Sequence, residues 1–321
     1  AGPIGQADIE KRYSAAPSRI KRASMFRNVR FYHLDGNWPD AEEAVSGKLQ
    51  QSAFEPCGPL TERRSGWVPI DADSSDSLAR RVNGADLMKL RSQSRVLPAA
   101  AINEELEKRI EEYQARMKEK PSAREKRRLK AETRDELLPK AMLKSDRIRG
   151  FVDPKQKVLG IDAAQNAAAE RFLLHLRKPF DEITFTPMKF GRPVEELLHK
   201  IFFGSAPQKF ALGRECRMQD PAEPRSVVRW ADFDLNDNTI KDHVANGMRL
   251  THLAIVYDNL LSCVMDEEGV IRKMRFLGAD DEGDDDGDPL TRMDAEFVLM
   301  TGTLRHMLAD MKKLLGGAAK V

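Results

Sequence analysis

Between Asp280 and Asp288 seven carboxylates fall within nine residues, a stretch whose residue types could grip a divalent cation. A calcium loop places ligands at its first, third and fifth positions, a glycine at the sixth and a bidentate glutamate at the twelfth. Setting Glu282, Asp284 and Asp286 at the first three ligand positions and Gly287 at the glycine puts Met293 at the twelfth, so the register fails. The stretch reads as solvated acid. The six histidines, His33, His175, His199, His243, His252 and His306, show no HExxH or other ligand spacing, and none lies near a cysteine in sequence. Neither GxxxxGK(S/T) nor GxGxxG occurs, which removes the phosphate-cradling loops, and GxSxG is absent too. These patterns predict no catalysis, no cofactor and no metal.

The other concentration of chemistry is cationic. Thirteen Lys and Arg residues lie between Arg116 and Arg149 against six acids, a net charge of +7. Arg116, Lys118, Lys120, Arg124, Lys126, Arg127, Arg128, Lys130, Arg134, Lys140 and Lys144 are the candidate contacts to a polyanion, and Arg147 and Arg149 close the run. Cations this dense repel one another unless a polyanion or an acidic partner neutralises them. Between Glu104 and Glu112, by contrast, Lys108 and Arg109 alternate with acids, the pattern of an ordinary solvated helix face. No aromatic residue lies between Arg116 and Arg149, so the stacking platforms of a single-strand or RNA reader are missing. Backbone contact to duplex DNA fits better. With no helix-turn-helix, zinc-finger or basic-zipper pattern, binding is expected to be independent of sequence and steeply salt-dependent.

The elements that must carry these residues follow from periodicity. Ile102, Leu106, Ile110, Tyr113 and Met117 recur at spacings of four, four, three and four, which predicts a helix packing one apolar stripe. Pro121-Ser122 interrupts it, and Ser122 with Glu125 has the spacing of a capping box opening a second helix to about Leu138. That second helix carries cations around most of its circumference and cannot be buried. Upstream, strands are expected over Phe26–Leu34, Gly66–Ile70, Asp86–Leu90 and Gln93–Leu97, with a helix over Trp38–Gln51. Downstream, Ile148–Asp153 and Lys157–Asp162 read as a strand pair followed by a helix over Ala163–Leu176, and 188–223 reads as irregular. Strands are expected over Ser226–Leu235, Arg249–Tyr257, Leu260–Met265 and Val270–Leu277, the last two joined by a turn ending at Gly269. A helix over Asp294–Leu315, apolar at Phe297, Met300, Leu304, Met307, Leu308 and Met311, closes the chain. The fold class is α+β: residues 1–24 a disordered extension, 25–98 a first α+β unit, 99–147 a helical basic tip, and 148–321 a second α+β unit.

Charged residues make up 32% of the 321, above the usual value of about 25%, while the net charge is only +2, so regions of opposite sign must balance. No apolar run approaches the ~20 residues that cross a bilayer, and Cys57, Cys216 and Cys263 form no CxxC. A cytosolic protein with reduced thiols is expected.

Several strings, in fixed order, resemble the RdgC family of bacterial recombination-associated proteins. They are Met25-Phe-Arg-Asn-Val-Arg-Phe-Tyr32, Ala53-Phe-Glu-Pro-Cys-Gly58, Gly66-Trp-Val-Pro69, Val82-Asn-Gly84, Val96-Leu-Pro98, Leu137-Leu-Pro-Lys-Ala141 and Met293-Asp-Ala-Glu-Phe-Val-Leu-Met-Thr-Gly302. The resemblance implies a horseshoe-shaped subunit that joins a second copy at both ends, making a ring with duplex DNA through a basic hole. It also implies nucleoid association and restraint of RecA-promoted strand exchange by competition for DNA. In the family's Leu-Pro-basic-Ala-Phe string the basic residue touches DNA and the Phe closes one ring interface; here these are Lys140 and Met142. Relatives can carry a Lys-Gln pair where this chain has Asp232 and Phe233, so no DNA role passes to Asp232, and Phe233 is assigned to the dimer interface. The alternative is an adaptor whose basic helix docks an acidic protein such as the recombinase directly.

Overall fold

The computed structural model describes residues 25–71, 76–278 and 288–319. The expected extension over 1–24 and the acidic residues 280–287 lie outside the described residues. Among the described residues the chain is a mixed α and β fold with seven α-helices and two antiparallel sheets.

The first sheet contains seven strands: β1 (Arg30–Asp35), β2 (Arg63–Val68), β3 (Ala79–Val82), β4 (Ala85–Val96), β5 (Met142–Asp153), β6 (Val158–Ile161) and β7 (Thr184–Pro187). Their order is β2-β4-β5-β6-β1-β7, with β3 also on β4. The expected boundary at 147/148 therefore falls inside β5, and β5–β7 complete the sheet that β1–β4 begin. The two segments expected over Asp86–Leu90 and Gln93–Leu97 are one twelve-residue strand, continuous because eleven of its positions pair with β5.

Strand alternation divides the side chains of β4 and β5 between two cores. Met88, Leu90, Ile148 and Val152 face α1 (Glu42–Gln50) and α4 (Asn166–Arg177), joining Val45, Leu49, Phe172 and Leu173 in one cluster. A Cβ at Gly150 would collide with the Phe172 ring, so the absent side chain is what lets α4 lie this close to the sheet. Phe172 is fully buried and meets Trp67 edge-on at 5.1 Å; such a side chain contributes roughly 1.5–3 kcal/mol.

Leu87 and Phe151 point the other way, into the core around α7 (Pro289–Leu314). Asp288 caps this helix by accepting from the Leu290 and Thr291 N–H groups, and Pro289 stands in its first turn, where no N–H is needed. All six expected apolar positions of α7, from Phe297 to Met311, are buried. The helix also packs on the second sheet, ordered β12-β11-β10-β8-β9. Its strands are β8 (Phe210–Gln219), β9 (Val227–Ala231), β10 (Arg249–Tyr257), β11 (Leu261–Asp266) and β12 (Ile271–Phe276). Gly269, at φ +79°, supplies the left-handed turn residue between β11 and β12.

The region 188–223, expected to be irregular, holds α5 (Val194–Phe202) as well as β8. A short α6 (Asn238–Ala245) buries Ile240 and Val244. Two ion pairs fasten α7 to the first sheet, Arg80 with Asp294 and Arg305 with Asp153. The three cysteines are free and buried; burial pushes the Cys216 thiol up to about 11 and that of Cys263 up to about 12, which keeps both as unreactive thiols. No helix among the described residues is long and apolar enough to cross a membrane.

Candidate nucleic-acid interface

β2, β4 and β5 run on past the other strands of the first sheet, and the far end of β5, from Met142 to Arg147, is exposed at every position. A helical hairpin is inserted at that end, made of α2 (Ala99–Met117) and α3 (Ala123–Leu137), and a 3-10 turn over Leu138–Lys140 leads back into β5. Lys140 thus sits in the turn, while Met142 and Lys144 lie on a strand instead of in the helical segment where the sequence places them. The strand forms because Met142 to Asp153 finds a full ladder partner in β4.

The expected capping box is present: the Ser122 hydroxyl accepts from the Glu125 N–H at 3.3 Å, and the Glu125 carboxylate accepts from the Ser122 N–H at 2.8 Å. Glu125 also accepts from the Tyr113 hydroxyl at 2.5 Å, which crosses from α2 to α3. These bonds, that of Tyr113 foremost, pull the Glu125 carboxyl down to about 2. A second tie, Arg109 to Glu136, likewise lowers the Glu136 carboxyl. The apolar stripe of α2 does less than expected: Ile102, Leu106, Ile110 and Tyr113 are half-buried, Met117 is exposed, and no residue of the helix is fully buried. One partner helix covers part of a stripe, whereas a core would cover it all. On α3 only Thr133 is buried.

All eleven candidate contacts are exposed. Arg128 pairs with Glu132 at 2.8 Å, Arg134 with Glu62 at 2.7 Å and Lys144 with Asp146 at 3.7 Å. The other eight, Arg116, Lys118, Lys120, Arg124, Lys126, Arg127, Lys130 and Lys140, form no ion pair within 4 Å among the described residues. On α3 the residues turned toward α2 are Glu125, Leu129, Thr133 and Glu136; at 100° per residue Arg124, Arg127, Lys130 and Arg134 fall on the side away from it. α3 therefore turns an acidic and apolar seam toward α2 and a cationic face away from it, while α2 exposes Glu104, Glu107, Glu111 and Glu112. Lys118 ends α2 in the left-handed conformation, at φ +59°, turning the chain so that Lys118 and Lys120 stand at its tip.

Four further cations form a group that sequence reasoning does not assemble. Lys89 and Arg91 on β4 stand opposite Arg149 and Arg147 on β5, all on one face. Their signal is Lys-x-Arg in β4 and Arg-x-Arg in β5, a period of two, which a simple charge count does not reveal.

The two positions assigned to subunit contacts lie on different sheets. Met142, 80% exposed, stands opposite exposed Val96 at the end of the β4–β5 ladder of the first. Phe233, 43% exposed, follows β9 at the edge of the second and lies 5.3 Å from Trp230. Asp232 beside it pairs with Arg214 at 2.9 Å.

These placements can be set beside known proteins. The family profile described as "Putative exonuclease, RdgC" matches residues 25–318. The chain belongs to the RdgC family. It is 30% identical over 296 residues to the recombination-associated protein RdgC of Edwardsiella ictaluri, covering 91% of this chain and 98% of that one. It is 29% identical to the protein of that name from Pseudoalteromonas atlantica (87% and 93% covered) and 28% to that from Sodalis glossinidius (92% and 98%). The family description includes an exonuclease, whereas the names of these RdgC relatives speak of recombination and of no reaction. In this RdgC chain the buried carboxylates are bound to arginines: Asp86 to Arg81, Asp153 to Arg305 and Asp266 to Arg272. Among the described residues no three His, Cys, Asp or Glu gather as a metal site.

Proposed function

We propose that this RdgC chain is a duplex-DNA-binding protein without sequence specificity and without catalysis, and that it modulates recombination by limiting the access of RecA to DNA. The observation that carries the reading is the set of eight exposed cations, without carboxylate partners among the described residues, on the helical hairpin and the turn that follows it. Phosphate oxygens are the ligand such a surface needs, and it offers no stacking platform and no device for reading bases. The names of the relatives support a place in recombination. Nucleoid association follows from the same binding.

The working unit is a homodimer, a horseshoe-shaped subunit closing on its copy through Met142 at one contact and Phe233 at the other, with DNA through the ring. Exposed apolar side chains at two separated places support this assembly. Met142 provides an apolar knob without an aromatic ring, so its contact relies on area burial and lacks ring stacking. Encirclement predicts that the protein stays on closed circular DNA at salt concentrations that strip it from linear DNA of the same sequence. Dissociation from both forms at the same low salt contradicts it.

A further inference from the structure

Helix α7 covers only one end of its face of the first sheet. There Leu87 and Phe151, opposite each other, pack into the core that contains Phe297. Two residues along, Lys89 faces Arg149; two further, Arg91 faces Arg147. Arg147 is exposed and the other three partly so. Like charges directly opposite destabilise an antiparallel pair, and here two such pairs are adjacent. Their hydrogens go to neutral acceptors: Lys89 donates to the Ile70 carbonyl at 2.6 Å, Arg149 to the Met25 carbonyl at 2.9 Å and Arg91 to the Ser145 hydroxyl at 3.2 Å. The Arg91 guanidinium also lies over the Phe54 ring at 4.6 Å. None of the four forms an ion pair within 4 Å with a described residue; Asp162, whose charge acts on Arg149, accepts from the Arg27 and Asn28 N–H groups, and Asp71 acts on Lys89 through space only. Burial, helped by Arg149 and Arg147, lowers the Lys89 ammonium below the usual lysine range.

We propose that this row is a second phosphate-binding track, taking the backbone of the same duplex that the helical hairpin holds; it rests on the duplex-DNA reading above. Strand geometry fixes four cationic positions within about 7 Å along the strands and 5 Å across them. Three of the four are guanidiniums, whose planar fork matches phosphate oxygens, and the ladder holds them in register. Ser145, next along this face, adds a hydroxyl donor. An anion here would relieve the repulsion that the ladder builds in.

The test is the salt dependence of duplex affinity for the wild-type protein, for Arg147→Gln, and for Arg91→Gln combined with Arg147→Gln. For every phosphate that is no longer neutralised, the slope of log affinity against log salt becomes shallower by about 0.9. The track predicts a change of about one for the single variant and about two for the double, with thermal stability unchanged or raised. Arg147 is exposed and has no ion-pair partner among the described residues, so the single variant keeps the fold even if the double does not. A steep wild-type slope that neither variant alters overturns the track and leaves the hairpin reading standing. A wild-type protein without duplex affinity overturns both.

Discussion

Replacing Arg124, Arg127 and Lys130 together by glutamine is expected to weaken duplex-DNA binding about a hundredfold at 0.15 M salt. The magnitude follows from counterion release: leaving three phosphates unneutralised makes the salt slope shallower by roughly 2.7, which at that concentration amounts to about two orders of magnitude. The three residues are exposed, lie on the outer face of α3 and form no ion pair among the described residues, so their replacement breaks no salt bridge there. Glutamine has nearly the helix propensity of the residues it replaces, and the Ser122–Glu125 capping box and the Tyr113–Glu125 bond remain. Melting temperature should therefore stay the same while affinity falls. Filter binding or fluorescence anisotropy on a short duplex reads the effect, and a weakening below threefold would mean that the hairpin's outer face does not touch DNA.

Arg305→Ala is expected to destabilise the fold by roughly 3 kcal/mol, for a reason unrelated to DNA. The Asp153 side chain is 2% exposed and that of Arg305 24%, so truncating the arginine leaves a buried carboxylate without its cation. Asp153 also accepts from the Gln156 N–H in the β5–β6 turn, and Arg305 donates to the Asn83 carbonyl in the β3–β4 turn. Arg305 thus fixes α7 to both turns, one through the ion pair and the other through a hydrogen bond. Substituting Asp153→Asn in the Arg305→Ala background should recover part of the stability, because a neutral amide is cheaper to bury than an orphaned carboxylate. Denaturant unfolding measures both; a single-variant effect below 1 kcal/mol would show that solvent reaches Asp153.

Both effects depend on parts of the chain that differ in how readily they can be read. Elements built on local periodicity are legible: the α7 stripe, the Ser122 box and the β11–β12 hairpin stand where spacing puts them. Helix α5, in the region expected to be irregular, carries a legible stripe as well, since Val194, Leu197, Leu198, Ile201 and Phe202 have helical spacing and all are buried. What local pattern cannot supply is pairing between distant segments. β1 joins β6 and β7 across more than a hundred residues of chain, and nothing in residues 30–35 names those partners. The same holds at the site. The cations of α3 stand out as a run, but the sheet-face row needs the β4–β5 register, which brings residues 89 and 91 to 149 and 147. Lys144 and Met142 lie on β5 because a ladder partner outweighs the weak helix signal after Pro139.

The most direct test of the central claim is the affinity of the wild-type protein for two duplexes of equal length and unrelated sequence, titrated with salt from about 0.05 to 0.3 M, the range over which counterion release dominates. Eight cations without carboxylate partners among the described residues, if most of them meet phosphates, predict a slope of about −5 to −7 and affinities that agree within about twofold between the two sequences. A slope shallower than about −2, or a strong preference for one sequence, would contradict it.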